Sequence, residues 1–226
     1  MKPCPQGAPN AAGFVLAGGR SSRMGQDKAL IELGGQTLAA RAVELLRTAG
    51  LSATFAGARS HLAELAPVIP DTAPEVGPLG GICSALASME RESSKAESGE
   101  AEFGVFIPVD LPLLPASLLR YLLADARITG SAVTLTSVDG FAQTFPAVIE
   151  RSLLADLRME LAAGRSGCFA AFQAAAARRG QRVRVVPAEM LAQTGQVADP
   201  RGLPPFQWFL NVNTPAELER VRLAIA

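Results

Sequence analysis

Apolar and polar positions alternate along this chain in two rhythms. Short unbroken apolar runs bounded by glycine, proline or aspartate read as buried strands: "AGFVLA" (12–17), "LSATFAGA" (51–58), "PVIP" ending at Asp71, and "FGVFIPVD" ending at Asp110. Stretches with apolar residues every three to four positions read as helices. "TLAARAVELLRTAG" is one, with Thr37 as N-cap and Gly50 closing it; "RSHLAELA", "ICSALASME" and the proline-led "LPLLPASLLRYLLADAR" follow. "SAVTLTSV" and "QTFPAVIE" predict two strands around the Asp139-Gly140 turn. "SLLADLRMELAAG" and "CFAAFQAAAARRG" predict helices, "QRVRVVP" and "FQWFLNV" late strands, and "TPAELERVRLAI" a last helix capped by Thr214. Strand and helix keep alternating, which predicts an α/β fold: a Rossmann-like three-layer sandwich around a mostly parallel, twisted sheet with right-handed crossovers.

The charged stretch "RESSKAESGEAE" (91–102) has no apolar period and reads as a solvated loop inside one domain. The expected organisation is a flexible N-terminal tail over residues 1–12 and a single domain over 13–226. Half of the 226 residues are hydrophobic (49%), enough to bury a core, and no apolar run approaches the roughly 20 residues of a membrane span. The opening "MKPCPQGAPNAAGFVLAGG" has too short an apolar segment for a signal peptide, so a cytoplasmic location is expected. Cys4, Cys83 and Cys168 are odd in number and widely spaced, which argues against a disulfide framework or a cysteine zinc site.

Lys+Arg and Asp+Glu both total 21, so no global basic field exists to attract nucleic acid, and any anion site must be local. The chain holds one histidine, His61. Without a GxSxG elbow or a cluster of metal-ligating side chains around it, His61 reads as a surface residue opening a short helix.

"FVLAGGRSSRMGQDKAL" (14–30) supplies such a local site. Ligands of doubly wound sheets bind beyond the carboxyl ends of the strands, where this loop leaves the first one. Gly18 and Gly19 leave peptide N–H groups unshielded, and Arg20, Arg23 and Lys28 add the charge a polyphosphate requires. Neither GxxxxGK[ST] nor GxGxxG is present, which argues against both a P-loop NTPase and a dehydrogenase.

"LAGGRSSRMGQDKALIELGG" resembles the signature of the molybdenum cofactor guanylyltransferases and of the wider MobA-like nucleotidyltransferase family, whose fold is of the nucleotide-diphospho-sugar transferase type. Leu16-Ala17-Gly18-Gly19, Ser22-Arg23-Met24-Gly25 and Asp27-Lys28 fall in that family's order and spacing. "VDLP" resembles its magnesium-binding "CDxP", with Val109 in place of a frequent cysteine. "D…EVGPLGGI" resembles its "D…GPLAGI", with Gly80 for alanine, and "FLNVNTPAEL" its "NxNTP" segment carrying Asn211 and Asn213.

The resemblance implies transfer of GMP from GTP to the phosphate of molybdopterin, giving a guanine dinucleotide and pyrophosphate. It implies Arg23, Lys28 and Asp110 as catalytic residues, and Asp110 as the ligand of Mg²⁺. Leu16, Ala17, Gly18, Gly19, Lys28, Asp71 and Asp110 would bind the nucleotide. Relatives that transfer CMP carry LAAG, so LAGG tilts toward guanine. Asn213 reads equally as a substrate contact or a helix cap. Two departures touch the acceptor: Phe145 stands where histidine is common, and a single Arg165 where two arginines are usual. Another phosphorylated acceptor, such as a sugar or cobinamide phosphate, CTP as donor, and a non-catalytic nucleotide-binding partner of molybdoenzymes therefore remain open. Transient contact with molybdoenzymes or their chaperones is also expected, and neither a nucleic acid nor a membrane partner.

Overall fold

The computed structural model describes residues 11–18, 27–57, 60–70, 77–93 and 101–225. Its first strand, β1 (Ala11–Leu16), begins one residue earlier than the sequence suggested, because Ala11 pairs with Phe103 at the foot of the sheet. A small hairpin, β2 (Glu32–Leu33) and β3 (Gln36–Thr37), precedes α1 (Leu38–Thr48). Thr37 caps α1 by accepting the Ala40 N–H at 3.2 Å, and Gly50 just beyond it has φ +82°, as the apolar period and caps predicted.

β4 (Thr54–Ala56), a 3-10 turn over Ser60–Glu64 and β5 (Val68–Ile69) lead to α2 (Pro78–Ser93). Pro78 opens this helix, which therefore starts four residues before the expected "ICSALASME"; proline is well suited to the first helical position. β6 (Phe103–Pro108), α3 (Ala116–Thr129), β7 (Val133–Val138) and β8 (Phe141–Glu150) follow. Next come α4 (Leu154–Ala162), α5 (Cys168–Arg178), β9 (Arg184–Pro187), α6 (Ala188–Gln193), α7 (Pro205–Trp208) and α8 (Pro215–Ile225).

The seven-stranded sheet has the order β5-β4-β1-β6-β8-β7-β9, and β8 alone runs antiparallel to its neighbours. Side chains alternate between the faces as strand geometry requires. Val15, Val105 and Ile107 pack into a core covered by α1, α3, α6, α7 and α8, while Phe14, Leu16 and Phe106 pack into a second core under α2, α4 and α5. Phe14 and Phe106, paired across β1 and β6, stack with ring centroids 5.1 Å apart.

One expected strand is absent. "FQWFLNV" forms the helical turn α7 and then irregular chain, because Pro204 and Pro205 remove backbone donors and Pro205 starts a helix at N1. Trp208 is buried there, its indole N–H donating to Leu203 O at 2.8 Å. This segment does not extend the sheet; it folds back to the loop after β6.

Candidate active site

The register of β1 and β6 builds the site. Leu16 pairs with Pro108, and Val109 N donates to Leu16 O at 3.1 Å, so Ala17-Gly18 and Val109-Asp110 leave the carboxyl edge of adjacent parallel strands together. Leu16 is buried, Ala17 half-buried and Gly18 exposed. A Cβ on Gly18 would lie 2.7 Å from the carbonyl oxygen of Gly57, which follows β4, so the two backbones can meet only because a glycine is present.

Lys28 arrives from the other end of the glycine loop. Asp27 caps a 3-10 turn over Lys28–Leu30, its Oδ1 accepting the Ala29 N–H at 3.0 Å, and buried Ala29 anchors the turn in the core. Lys28 Nζ then stands 3.4 Å from Asp110 Oδ2, both side chains being 22% exposed. Lys28 Nζ also donates to Asn213 Oδ1. Asn213 is carried to this point by the irregular chain after α7, where Val212 N donates to Asp110 O at 3.0 Å.

Of the two readings of Asn213, the geometry separates side chain from cap. Thr214 Oγ1 accepts the Glu217 N–H at 3.2 Å and so caps α8, while the Asn213 amide turns to Lys28 and its backbone N–H donates to Glu217 at 2.9 Å. Asn211 is exposed.

Gly19, Arg20, Arg23 and Asp71 lie outside the described residues. Lys28, Asp110 and the Leu16–Gly18 backbone are brought to one edge, joined there by Asn213. Phe106 pairs with Ala147, so Phe145 stands toward that same edge, half-buried against both cores and joined to Pro146 by a cis peptide bond. Arg165 is engaged elsewhere: its guanidinium donates to Glu160 at 2.6 and 3.0 Å, and Arg178 donates to the same carboxylate. These bonds, Arg165's first, hold Glu160 down at about 2.

His61 is partly exposed on its 3-10 turn, as a surface histidine should be, but its Nε2 lies 3.4 Å from Asp27 Oδ2. Sequence reasoning missed this contact, and also Gly57. The glycine directly after the second strand, echoing the one after the first, was the available signal.

Among the described residues no three metal-ligating side chains cluster. The single carboxylate of Asp110, already facing an ammonium, suits a hard cation held by one or two carboxylates plus substrate phosphates. No helix of the described residues is long and apolar enough to cross a membrane.

The chain has relatives among known proteins. A molybdenum cofactor guanylyltransferase from Xanthomonas euvesicatoria pv. vesicatoria (strain 85-10) is 45% identical over 116 residues, covering 51% of this chain and 54% of that protein. One from Rhizobium meliloti (strain 1021) is 32% identical over 223 residues, covering 95% of this chain and 93% of the relative. In fold, the chain is similar to a crystal structure of molybdopterin-guanine dinucleotide biosynthesis protein A from Archaeoglobus fulgidus, with TM-score 0.71 and 21% identity over 94% of this chain and 97% of that one. It is also similar to 4-diphosphocytidyl-2C-methyl-D-erythritol synthase, with TM-score 0.63 and 13% identity over 96% and 99%. The model of the MobA-like NTP transferase domain matches residues 13–184, well over half the chain, and the chain belongs to that family.

Proposed function

We propose that this protein transfers GMP from GTP to the terminal phosphate of molybdopterin, releasing pyrophosphate. The observation that carries the reading is the meeting of Lys28, Asp110 and Asn213 at the sheet edge that the loop after β1 also leaves, in a chain with guanylyltransferase relatives. An oxygen of the acceptor phosphate attacks the α-phosphorus of GTP. The bond from that phosphorus to the bridging oxygen breaks, and pyrophosphate leaves with the electron pair. The acceptor is anionic at neutral pH and needs no base to become a nucleophile, so a chain with one histidine suffices.

The protein's task is in-line positioning and neutralisation of building charge. Lys28 supplies positive charge from a turn anchored in the core, and Asn213 aims its ammonium. The family resemblance would add Arg23 and the peptide N–H groups of Gly18 and Gly19 to the anion site, with Asp71 on the nucleotide. Asp110 would hold Mg²⁺, which when bound offsets phosphate charge. The backbone of Leu16 to Gly18 would meet the guanine edge.

The test is to incubate the protein with molybdopterin and Mg²⁺ and either GTP or CTP, and to follow pyrophosphate release. GTP should be the preferred donor; preference for CTP overturns the guanylyl reading. A second reading, a different phosphorylated acceptor, is favoured by one observation: Arg165 is already paired with Glu160. Turnover with a sugar or cobinamide phosphate and none with molybdopterin would establish it. A cytoplasmic location belongs to the same proposal.

A further inference from the structure

One short stretch after β4 touches the chain on both sides of residues 19–26. Its first residue, Gly57, meets Gly18 backbone to backbone, leaving no room for a Cβ. Further on, His61 Nε2 lies 3.4 Å from Asp27 Oδ2. Asp27 spends its other carboxylate oxygen, Oδ1, on the Ala29 N–H at 3.0 Å, which fixes the turn that presents Lys28. Both ends of this contact are anchored: Leu62, next to His61, and Ala29, next to Lys28, are buried in the same core.

We propose that His61 is a positioning residue for nucleotidyl transfer, which sets the reach of Lys28 toward Asp110 by holding the Asp27 carboxylate over its turn. His61 touches no reacting atom in this scheme. It restrains one oxygen of Asp27, so that the other stays on the Ala29 N–H and the Lys28 stem leaves the core in one direction. A carboxylate free to rotate would release the cap, and the ammonium would then sample positions away from Asp110. Misplacement of this kind penalises the transition state more than the bound substrate. The inference rests on the proposed nucleotidyl-transfer reading for its kinetic consequence, whereas the restraint on Asp27 stands independently of it.

The experiment compares His61→Leu, which fills the space without a donor, with His61→Gln, which keeps an N–H donor within reach of Asp27. Amide exchange of Ala29, read by NMR without nucleotide, should quicken about fivefold in His61→Leu, the scale of a partly exposed polar contact, and stay within about twofold of wild type in His61→Gln. With GTP and acceptor, kcat should fall by a similar factor in His61→Leu, with KM for GTP unchanged and His61→Gln near wild type. In a Lys28→Ala background His61→Leu should add no further loss. Wild-type Ala29 exchange in His61→Leu overturns the proposal, as does an equal defect in His61→Gln or a full additional loss in the Lys28→Ala background. If the wild-type protein transfers no nucleotide, the functional reading fails and Ala29 exchange alone still decides whether His61 restrains Asp27.

Discussion

Lys28 and Asp110 are 82 residues apart in the chain, yet Nζ stands 3.4 Å from Oδ2 at the carboxyl edge of the sheet. Their pairing follows from two independent pieces of local structure, the capped turn at Asp27 and the extra ladder bond from Val109 to Leu16. Neither piece depends on the charge pair, and both side chains retain contact with solvent. Lys28→Ala and Asp110→Asn should therefore fold, with a melting temperature lowered by less than about 4 °C, as expected for a partly exposed ion pair. Pyrophosphate release from GTP should fall by about a hundredfold or more, equivalent to roughly 3 kcal/mol of lost transition-state stabilisation. Steady-state kinetics beside thermal melts check both halves; wild-type turnover in either variant would remove it from the chemistry.

Gly18 offers a test of the backbone rather than of charge. Alanine there would place its Cβ 2.7 Å from Gly57 O, a carbonyl on a strand end that cannot rotate away as a side chain would. Either the loop after β1 or the one after β4 must shift. Overpacking of this kind costs about 1–3 kcal/mol. Gly18→Ala should thus lower stability by that order and weaken nucleotide binding, whereas Gly50→Ala, also costly because of its φ of +82°, should leave binding alone. Denaturant melts paired with GTP titration separate the two.

Much of this site was legible in the sequence because its parts lie where local rules operate. A buried apolar run ends at Leu16 and another at Pro108, so glycine and carboxylate at those ends had to share an edge once the strands paired in parallel. Thr37 and Thr214 announced their helices by capping chemistry. What stayed hidden was long-range. The pairing of Asn213 with Lys28, 185 residues away, depends on the path of residues 209–213, which two prolines divert from a strand. The engagement of Arg165 and Arg178 with Glu160 is invisible to periodicity, as is the reach of His61 across to Asp27. Charge partners between separate elements are set by tertiary packing, and no spacing rule encodes them.

Glu160 is the clearest source of pH-dependent stability. Hydrogen bonds from Arg165 and then Arg178 lower it from 4.5 to about 2 in the folded chain. A folded value below the unfolded one means the contribution is complete above about pH 4.5 and is lost as pH falls from there toward 2. Glu160→Gln cannot follow that course. Its stability deficit against wild type should be full at pH 7 and shrink steadily between about pH 4.5 and 2, as followed by urea melts across that window. A deficit independent of pH would mean that the carboxylate's charge contributes nothing there.

Thr134 points to a gain instead of a loss. It lies on β7 with no solvent exposure, and its Oγ1 is a buried side-chain polar atom without a hydrogen-bond partner among the described residues. Thr136, two positions along the same strand, shows the alternative: its hydroxyl donates to Val186 O at 2.7 Å on the neighbouring β9. The pairing of β7 with β8 shifts register between these two positions, whereas the pairing of β7 with β9 is regular across them. An unpaired hydroxyl taken out of water costs about 1–3 kcal/mol, while a methyl of similar size in its place costs nothing in hydration and adds apolar burial. Thr134→Val should accordingly raise stability by about 1 kcal/mol and the melting temperature by roughly 2–4 °C. Thr136→Val should do the reverse, because it abandons the Val186 carbonyl inside the sheet. Thermal melts of the two variants side by side, with opposite signs expected, test whether hydrogen-bond satisfaction decides the outcome at these positions; stabilisation of both, or of neither, would show that side-chain packing outweighs it.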